Sequence, residues 1–520
     1  MRMSDRRRFL QALAALGVSQ SPIARAQTDR AVRFDSYPFT LGVASGYPAP
    51  DGFVLWTRLA PRPLEPGGGL APEPVPMRWE VAEDERFAKV VASRAEFPSA
   101  DWAHSVHAEV RGLQPDRWYF YRFLAGNAVS PIGRTRTAPA PDALPARLRF
   151  AFASCQHYEH GYFTAYRHMV ADDLDLIVFL GDYIYESSLR RNRVRMHERA
   201  DEPVTLDEYR ARHALYKTDA ELQSAHRACP WIATWDDHEV DNDYANDRQE
   251  DGAPPAEFLL RRAAAYRAYY EHMPLPEPMR PQGPNMRIHA TQAWGSLANF
   301  HLLDSRQYRS PQACPAKPGG GNVVDPVLCG DLREPSRTML GARQEAWLDH
   351  QLSSSRASWN IVAQQTLMAQ LDTRIGEGQQ FWSDGWSGYP AARRRLLESL
   401  MSRKVANPVV IGGDVHMSFV SDLKPDFDDE KSPVVASEIV GTSITSPPGN
   451  WQRNLPAIMA ENPHLKYGRG DRRGYVRASI AAGRLSADLV GVDTVKKPEA
   501  RAEVLARFVV EDGKPGPRRI

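Results

Sequence analysis

Two rhythms of apolar and polar residues divide the chain. Between about Phe39 and Thr137, short runs rich in aromatic and β-branched residues alternate with turn formers. The runs are Phe53-Val54-Leu55-Trp56, Met77-Arg78-Trp79-Glu80-Val81 and those at 105–110 and 118–123; the turn signals lie at 48–52, 66–69 and 114–116. Strand-length runs at this spacing predict an all-β sandwich over 35–140. Ala138-Pro139-Ala140-Pro141 reads as a linker. Beyond it, 150–153, 176–180, 361–363 and 408–411 are apolar at every position. Such runs predict strands buried on both faces. Helical stretches at 206–227, 257–272 and 343–352 lie between them, and strand-like runs at 474–480, 484–492 and 504–510 follow. The expectation is a layered α/β domain over 145–515.

Composition narrows the class. Of 520 residues, 42% are hydrophobic and 25% charged, with 65 Lys+Arg against 64 Asp+Glu. That balance fits a globular chain and excludes a nucleic-acid complex held by bulk charge, so an anionic substrate needs a local site. Residues 1–26 read as an export signal: Arg6-Arg7-Arg8 before Phe9-Leu10, an apolar stretch over 12–18, and Ala24-Arg25-Ala26 as a cleavage site. The paired arginines are twin-arginine-like and imply export machinery as a partner. No later run approaches the roughly 18 apolar residues that span a bilayer, so no transmembrane anchor is expected and the product is periplasmic or secreted. Four cysteines are too few for a disulfide scaffold, but an oxidising compartment permits bridges. Cys314 and Cys329 flank a Pro/Gly-rich loop and are expected to pair; Cys229 reads as a small buried hydrophobe.

The chemistry concentrates where apolar runs end. Four clusters close or follow them: Ala153-Ser154-Cys155-Gln156, Gly181-Asp182-Tyr183-Ile184-Tyr185-Glu186, Trp235-Asp236-Asp237-His238-Glu239 and Gly412-Gly413-Asp414-Val415-His416. Ligands of α/β sheets gather beyond the carboxyl ends of strands. Carboxylates, imidazoles, a thiol and a phenol are donors for hard and borderline metal ions, and Asp182 has two oxygens with which to bridge two cations. Each piece alone has an ordinary reading: a turn or helix cap for Gly-Asp, an orienting hydrogen bond for Asp237-His238, a packed thiol for Cys155, a core ring for Tyr185. Four of them at strand ends of one domain predict a metal site.

These four clusters, with Leu303-Asp304-Ser305-Arg306-Gln307-Tyr308-Arg309 and Leu41-Gly42-Val43-Ala44-Ser45-Gly46, resemble the alkaline phosphatase D family of phosphodiesterases and phosphatases. That family is a branch of the calcineurin-like, purple-acid-phosphatase-like metallophosphoesterases. The resemblance implies an α/β fold: a four-layer αββα catalytic domain behind a fibronectin- or immunoglobulin-like β-sandwich, with Fe(3+) and Ca(2+) at the site. It assigns Cys155, Tyr185 and His416 to iron, Asp182 as the bridging carboxylate, Asp237 and Asp414 as oxygen donors, and His238 as the catalytic histidine. The remaining superfamily histidine has no clear counterpart; Gln364-Gln365 lies near its expected strand end. The implied reaction is attack of a metal-bound hydroxide on a phosphate ester, with Arg306 and Asn242 as candidate substrate-binding residues. A phospholipase D-type phosphodiesterase of the same family is an alternative. Two readings come from other classes: a cysteine hydrolase using Cys155 with His238 or His416 as base, and an exported adhesion module. Trp382, Trp386 and Tyr389 are candidates to line a lipid or base pocket.

Overall fold

The computed structural model describes residues 32–315 and 320–520, so the signal segment at 1–26 lies outside the described residues. Three parallel strands, Leu148–Ala153, Leu176–Leu180 and Trp231–Thr234, lie side by side in a ten-stranded sheet. Antiparallel strands Arg473–Ala481, Arg484–Val492, Ala502–Glu511 and Lys514–Arg519 extend it on one side. Val43–Ala49, Gly52–Arg58 and Ser105–Val110 extend it on the other. A second sheet of seven strands has four parallel ones at its centre: Ala298–Leu302, Trp359–Ala363, Pro408–Gly412 and Ala436–Val440.

Side-chain alternation explains why the central runs are apolar throughout. Phe150, Phe152, Val178 and Leu180 face Phe300, Leu302, Ile361 and Ile411 in a core between the two sheets. The residues in between point outward. Ile177, Phe179 and Trp231 pack under Tyr209, Leu222 and Tyr266 of the helices on that side. Val362 and Val410 do the same under Leu348 and Leu397 of the opposite helices. The α/β expectation holds, with helices outside and two sheets within.

Local differences have physical causes. The stretch expected as one helix over 206–227 is two, Leu206–Lys217 and Ala220–Ala228. The first opens with a capping box between Thr205 and Glu208. The second starts afresh because Asp219 accepts hydrogen bonds from the backbone N–H groups of Glu221 and Leu222. The amino-terminal strands divide between two sheets. Met77–Ala82, Val90–Glu96 and Trp118–Ala125 belong to a separate antiparallel sheet, whereas Val43–Ala49 continues the large sheet through the pair Gly46 and Trp231. Both contribute to one core containing Phe53, Leu55, Trp79, Val81, Tyr121 and Phe123. Ala138, read as linker, is buried in the inter-sheet core and donates its N–H to the Ala49 carbonyl. Cys314 and Cys329 are joined by a disulfide, and Cys229 is packed among the helix-side apolar residues. Among the described residues, no helix is long and apolar enough to cross a membrane.

Buried imidazoles make this fold acid-sensitive. Burial lowers His213 to about 3 and His301 to about 4, and both rings are fully enclosed. Both are neutral in the folded state at pH 5, whereas the unfolded chain takes up protons below its ordinary histidine value near 6.5. Stability is therefore lost as pH falls from about 6.5 toward 4, by roughly 2 kcal/mol per group at pH 5. Urea unfolding at pH 7 and pH 5 tests this: on going from pH 7 to pH 5, His301→Gln should lose less stability than the wild type, by roughly 2 kcal/mol.

Candidate metal-binding active site

Three of the four clusters leave their strands through a sharp turn. Cys155, Asp182, Asp414 and His416 all adopt left-handed backbone, with φ of 60°, 58°, 61° and 55°. Non-glycine residues pay of order 1–3 kcal/mol for this, and persist there when their surroundings over-determine them. Here the Cys155 N–H donates to the Gly181 carbonyl (3.1 Å), the Gln156 N–H to the Asp182 carbonyl (3.1 Å) and the Gly413 N–H to the Gln365 carbonyl (2.7 Å). Two glycines permit the close approach. A Cβ on Gly181 would lie 2.6 Å from that of Asp236, and one on Gly413 would lie 2.1 Å from Ser154 Oγ. The second contact joins the two sheets at the site.

The turns bring together donors far apart in sequence. Three groups that share Asp182 form, each with donor atoms within 4.8 Å of one another: Cys155, Asp182 and His416; Asp182, Asp237 and His238; Asp182, Asp236 and Asp414. Tyr185 Oη donates to Asp182 Oδ2 (3.0 Å), lies 3.2 Å from His416 Nε2 and accepts from Ser446 Oγ (2.8 Å). Its ring lies 4.4 Å from that of His157 and 4.1 Å from that of His238. His416 Nδ1 is 2.8 Å from the Pro447 carbonyl, so it carries the proton and leaves Nε2 as a lone-pair donor facing the cluster.

Second contacts fix these groups. Glu239 is buried and accepts the N–H groups of Asp182 (3.1 Å), Tyr183 (2.6 Å) and Asp236 (2.8 Å). His238 Nδ1 is 2.7 Å from Glu186 Oε2, and Glu186 Oε1 accepts the Asn242 N–H (3.2 Å). The Asn242 side chain instead donates to Glu250 (2.9 Å). Arg306, a candidate phosphate ligand by sequence, is only 1% exposed. Its guanidinium pairs with Asp236, with Asp237 (3.4 Å) and with Asp384 (2.9 Å), so it holds carboxylates in place. Arg309 reaches the same Asp384 at 2.7 Å.

Electrostatics expose a deficit of positive charge. Burial, reinforced for each by neighbouring carboxylates, pushes Cys155, Asp182, Asp236 and Tyr185 well above their ordinary values. Asp414 rises to about 6, from burial and then Asp237. Asp237 goes the other way: burial opposes its charge, but Arg306 and His238 overrule it. Burial also opposes the His238 charge, and Glu186, Asp237 and Asp182 together hold it well above the usual imidazole value. Asp182 Oδ1 and Asp236 Oδ2 are buried without a hydrogen-bond partner. Orphaned carboxylate oxygens beside sulfur, phenol and imidazole donors fit multivalent cations.

Sequence reasoning missed several participants. Asp236, Glu239 and Glu186 lie inside the motifs already singled out, and their positions beside Asp237, His238 and Tyr185 were the available signal. Asp384 lies outside the four clusters, between Trp382 and Trp386, and carried no signal of this role. Gln364 and Gln365 are fully buried structural residues: Gln365 Nε2 donates to the Trp235 (2.8 Å) and Leu303 (2.7 Å) carbonyls, tying the two sheets. Trp386 and Tyr389 are enclosed, donating to Gln364 Oε1 (3.0 Å) and the Ser310 carbonyl (2.7 Å); Trp382 is 44% exposed.

A two-sheet α/β core with a carboxylate-rich cluster at its strand ends describes a class of phosphate-ester hydrolases, and comparison with known proteins agrees. The chain belongs to the PhoD-like phosphatase family: that family's model matches residues 150–489, and the model of its N-terminal domain matches 24–139. It is 45% identical to alkaline phosphatase D of Bacillus subtilis (strain 168), over 99% of this chain and 89% of that protein. A solved structure described as that of PhoD superposes with a TM-score of 0.89 at 45% identity, covering 94% of this chain and 93% of that one.

The Glu239 contacts generate a test. Glu239→Gln keeps the shape but replaces one acceptor oxygen with a donor that faces backbone N–H groups. Isolated protein should bind at least ten-fold less metal while its far-ultraviolet circular dichroism stays unchanged; elemental analysis after gel filtration measures this.

Proposed function

We propose that this phosphoric ester hydrolase is an exported, metal-dependent phosphodiesterase and alkaline phosphatase. The observation that carries the reading is Asp182, shared by three donor groups and with a buried oxygen left unpartnered. Cys155, Asp182, Tyr185 and His416 offer the sulfur, phenolate and imidazole set suited to Fe(3+). Asp182, Asp236, Asp237 and Asp414 offer hard oxygens suited to Ca(2+). When bound, such cations supply Lewis acidity toward phosphoryl oxygens and lower the pKa of water at the site. The layered architecture supports assignment to the calcineurin-like αββα class, with an amino-terminal immunoglobulin-like unit over 35–140 and a catalytic unit over 145–515. The pattern at 1–26 supports export to the periplasm or medium.

The chain's own residues supply the acid. Glu186 anchors His238 at Nδ1, which leaves Nε2 turned toward an incoming ester. Its carboxylate neighbours, Glu186 foremost, push His238 above the usual imidazole value and so favour a proton at Nε2 for the departing alkoxide. Arg306 and Glu239 keep the carboxylates oriented, so they need not reorganise as charge develops. The cysteine-nucleophile reading finds little support: Cys155 is buried, its thiol donates to Ser154 Oγ, and burial with the adjacent carboxylates favours the unreactive thiol form.

Two experiments separate these readings. Metal analysis of protein exported by its native host should find iron and calcium, and a visible tyrosinate-to-iron absorption band. Chelation should abolish turnover of bis(p-nitrophenyl) phosphate and p-nitrophenyl phosphate, whereas alkylating agents should leave it intact; full activity in colourless, metal-free protein would reject the assignment. In the second, His238→Asn should lower kcat about 100-fold or more. Glu186→Gln removes the charge that raises His238, so the alkaline limb of the kcat profile should move to lower pH.

A further inference from the structure

A second cleft lies behind the Arg306 loop, separate from the metal-binding cluster. It has a volume of about 700 Å³ and is walled by Asn246, Arg287, His289, Tyr308, Arg343 and Trp347. Three of these are rings in mutual contact: His289 lies 4.9 Å from Trp347 and 6.1 Å from Tyr308. Gly341, at the start of the helix Gly341–Ser354, lets the wall close in, since a Cβ there would meet that of Tyr308 at 2.7 Å. His289 Nδ1 is buried without a partner. Arg287 and Arg343 are exposed, and neither pairs with a carboxylate among the described residues. This contrasts with the arginines around the active site, where Arg306, Arg309 and Arg261 are all committed to acids.

Aromatic faces that can stack, an unsatisfied imidazole nitrogen and two free guanidinium forks are complementary to a ring that carries an anion. None of the donor groups able to hold a metal ion lies in the cleft. We infer that the cleft is an accessory binding site for a phosphate ester whose ring offers a stackable face, either the flat base of a nucleoside phosphate or the apolar face of a hexose phosphate. The guanidinium groups of Arg287 and Arg343 hold the phosphate while Trp347 and Tyr308 flank the ring. The inference is independent of the catalytic reading, because binding there requires no turnover.

The test uses the holoenzyme and phosphonate analogues of a nucleoside monophosphate and of a hexose phosphate, whose carbon–phosphorus bond resists hydrolysis, with inorganic phosphate as the ring-free probe. Calorimetric titration compares the wild type with the double variant Arg287→Gln/Arg343→Gln and with Trp347→Phe and Trp347→Ala. At least one ring-bearing probe should bind the wild type ten-fold or more tightly than inorganic phosphate does. The arginine pair variant should lose ten-fold or more of that affinity and Trp347→Ala more than Trp347→Phe, while kcat/KM on bis(p-nitrophenyl) phosphate stays within two-fold. Which probe binds identifies the ring. Ring-bearing probes that bind no better than inorganic phosphate, or bind the arginine variant as well as the wild type, would overturn the inference.

Discussion

Negative charge buried at the ends of strands is the constraint around which the rest of this protein is arranged. Removing a carboxylate from water costs several kcal/mol unless something answers its charge. At the cluster around Asp182 the protein's answer is incomplete: Arg306 and His238 face four aspartates, a thiol and a phenol. The backbone N–H groups of Asp182, Tyr183 and Asp236, which could help a carboxylate of the cluster stay ionised, go instead to Glu239. Asp182 Oδ1 and Asp236 Oδ2 are left without a hydrogen-bond partner. A polypeptide gains nothing from such a deficit by itself, since protonated or apolar residues would pack at lower cost. It becomes intelligible once multivalent cations supply the missing charge.

The same constraint couples the site to the whole core. Cys155, Asp182 and Asp236 follow strands of the ten-stranded sheet, whereas Asp414 and His416 follow a strand of the seven-stranded one. The two donor groups that contain His416 or Asp414 exist only when the two sheets are packed face to face, and Ser154 against Gly413 and Gln365 against Trp235 fix the distance at the rim. Left-handed backbone at four donors adds local strain that only a rigid frame sustains. Arg306 extends the frame outward to Asp384, which also receives Arg309 and Gln312 (2.6 Å). Guanidinium suits this position because its planar fork serves several carboxylates at once; a lysine would offer a single point of charge.

Much of this was legible in the sequence, and the reasons are specific. Runs such as 176–180 announce central strands because both of their faces are buried, which removes polar residues from every position. The donors at strand ends were legible because thiol, phenol, imidazole and carboxylate rarely follow such runs by chance of packing alone. Partnerships were not legible. Whether Arg306 meets a phosphate or a carboxylate depends on Asp384, 78 residues away. The break at Asp219 was hidden because flanking apolar residues continue the helical period, while a side-chain cap overrides it. Trp386 and Tyr389 look like pocket aromatics in a Gly-rich loop, yet each finds a buried acceptor that the sequence cannot display.

The burial pattern also gives the site a direction. Each donor group contains two buried residues and one partly exposed residue, and the exposed members are His416, His238 and Asp414. Cys155 and Tyr185 therefore form the closed back of the cluster, where soft or redox-capable donors are shielded from solvent. The rim carries the His238 imidazole, whose side chain is 16% exposed, while Cys155 is 1% exposed and lies deeper. A nucleophilic thiol would need the opposite arrangement, with sulfur at the rim and its base behind it. The orientation of the cluster thus argues for the acid-and-cation chemistry on grounds separate from the identity of its residues.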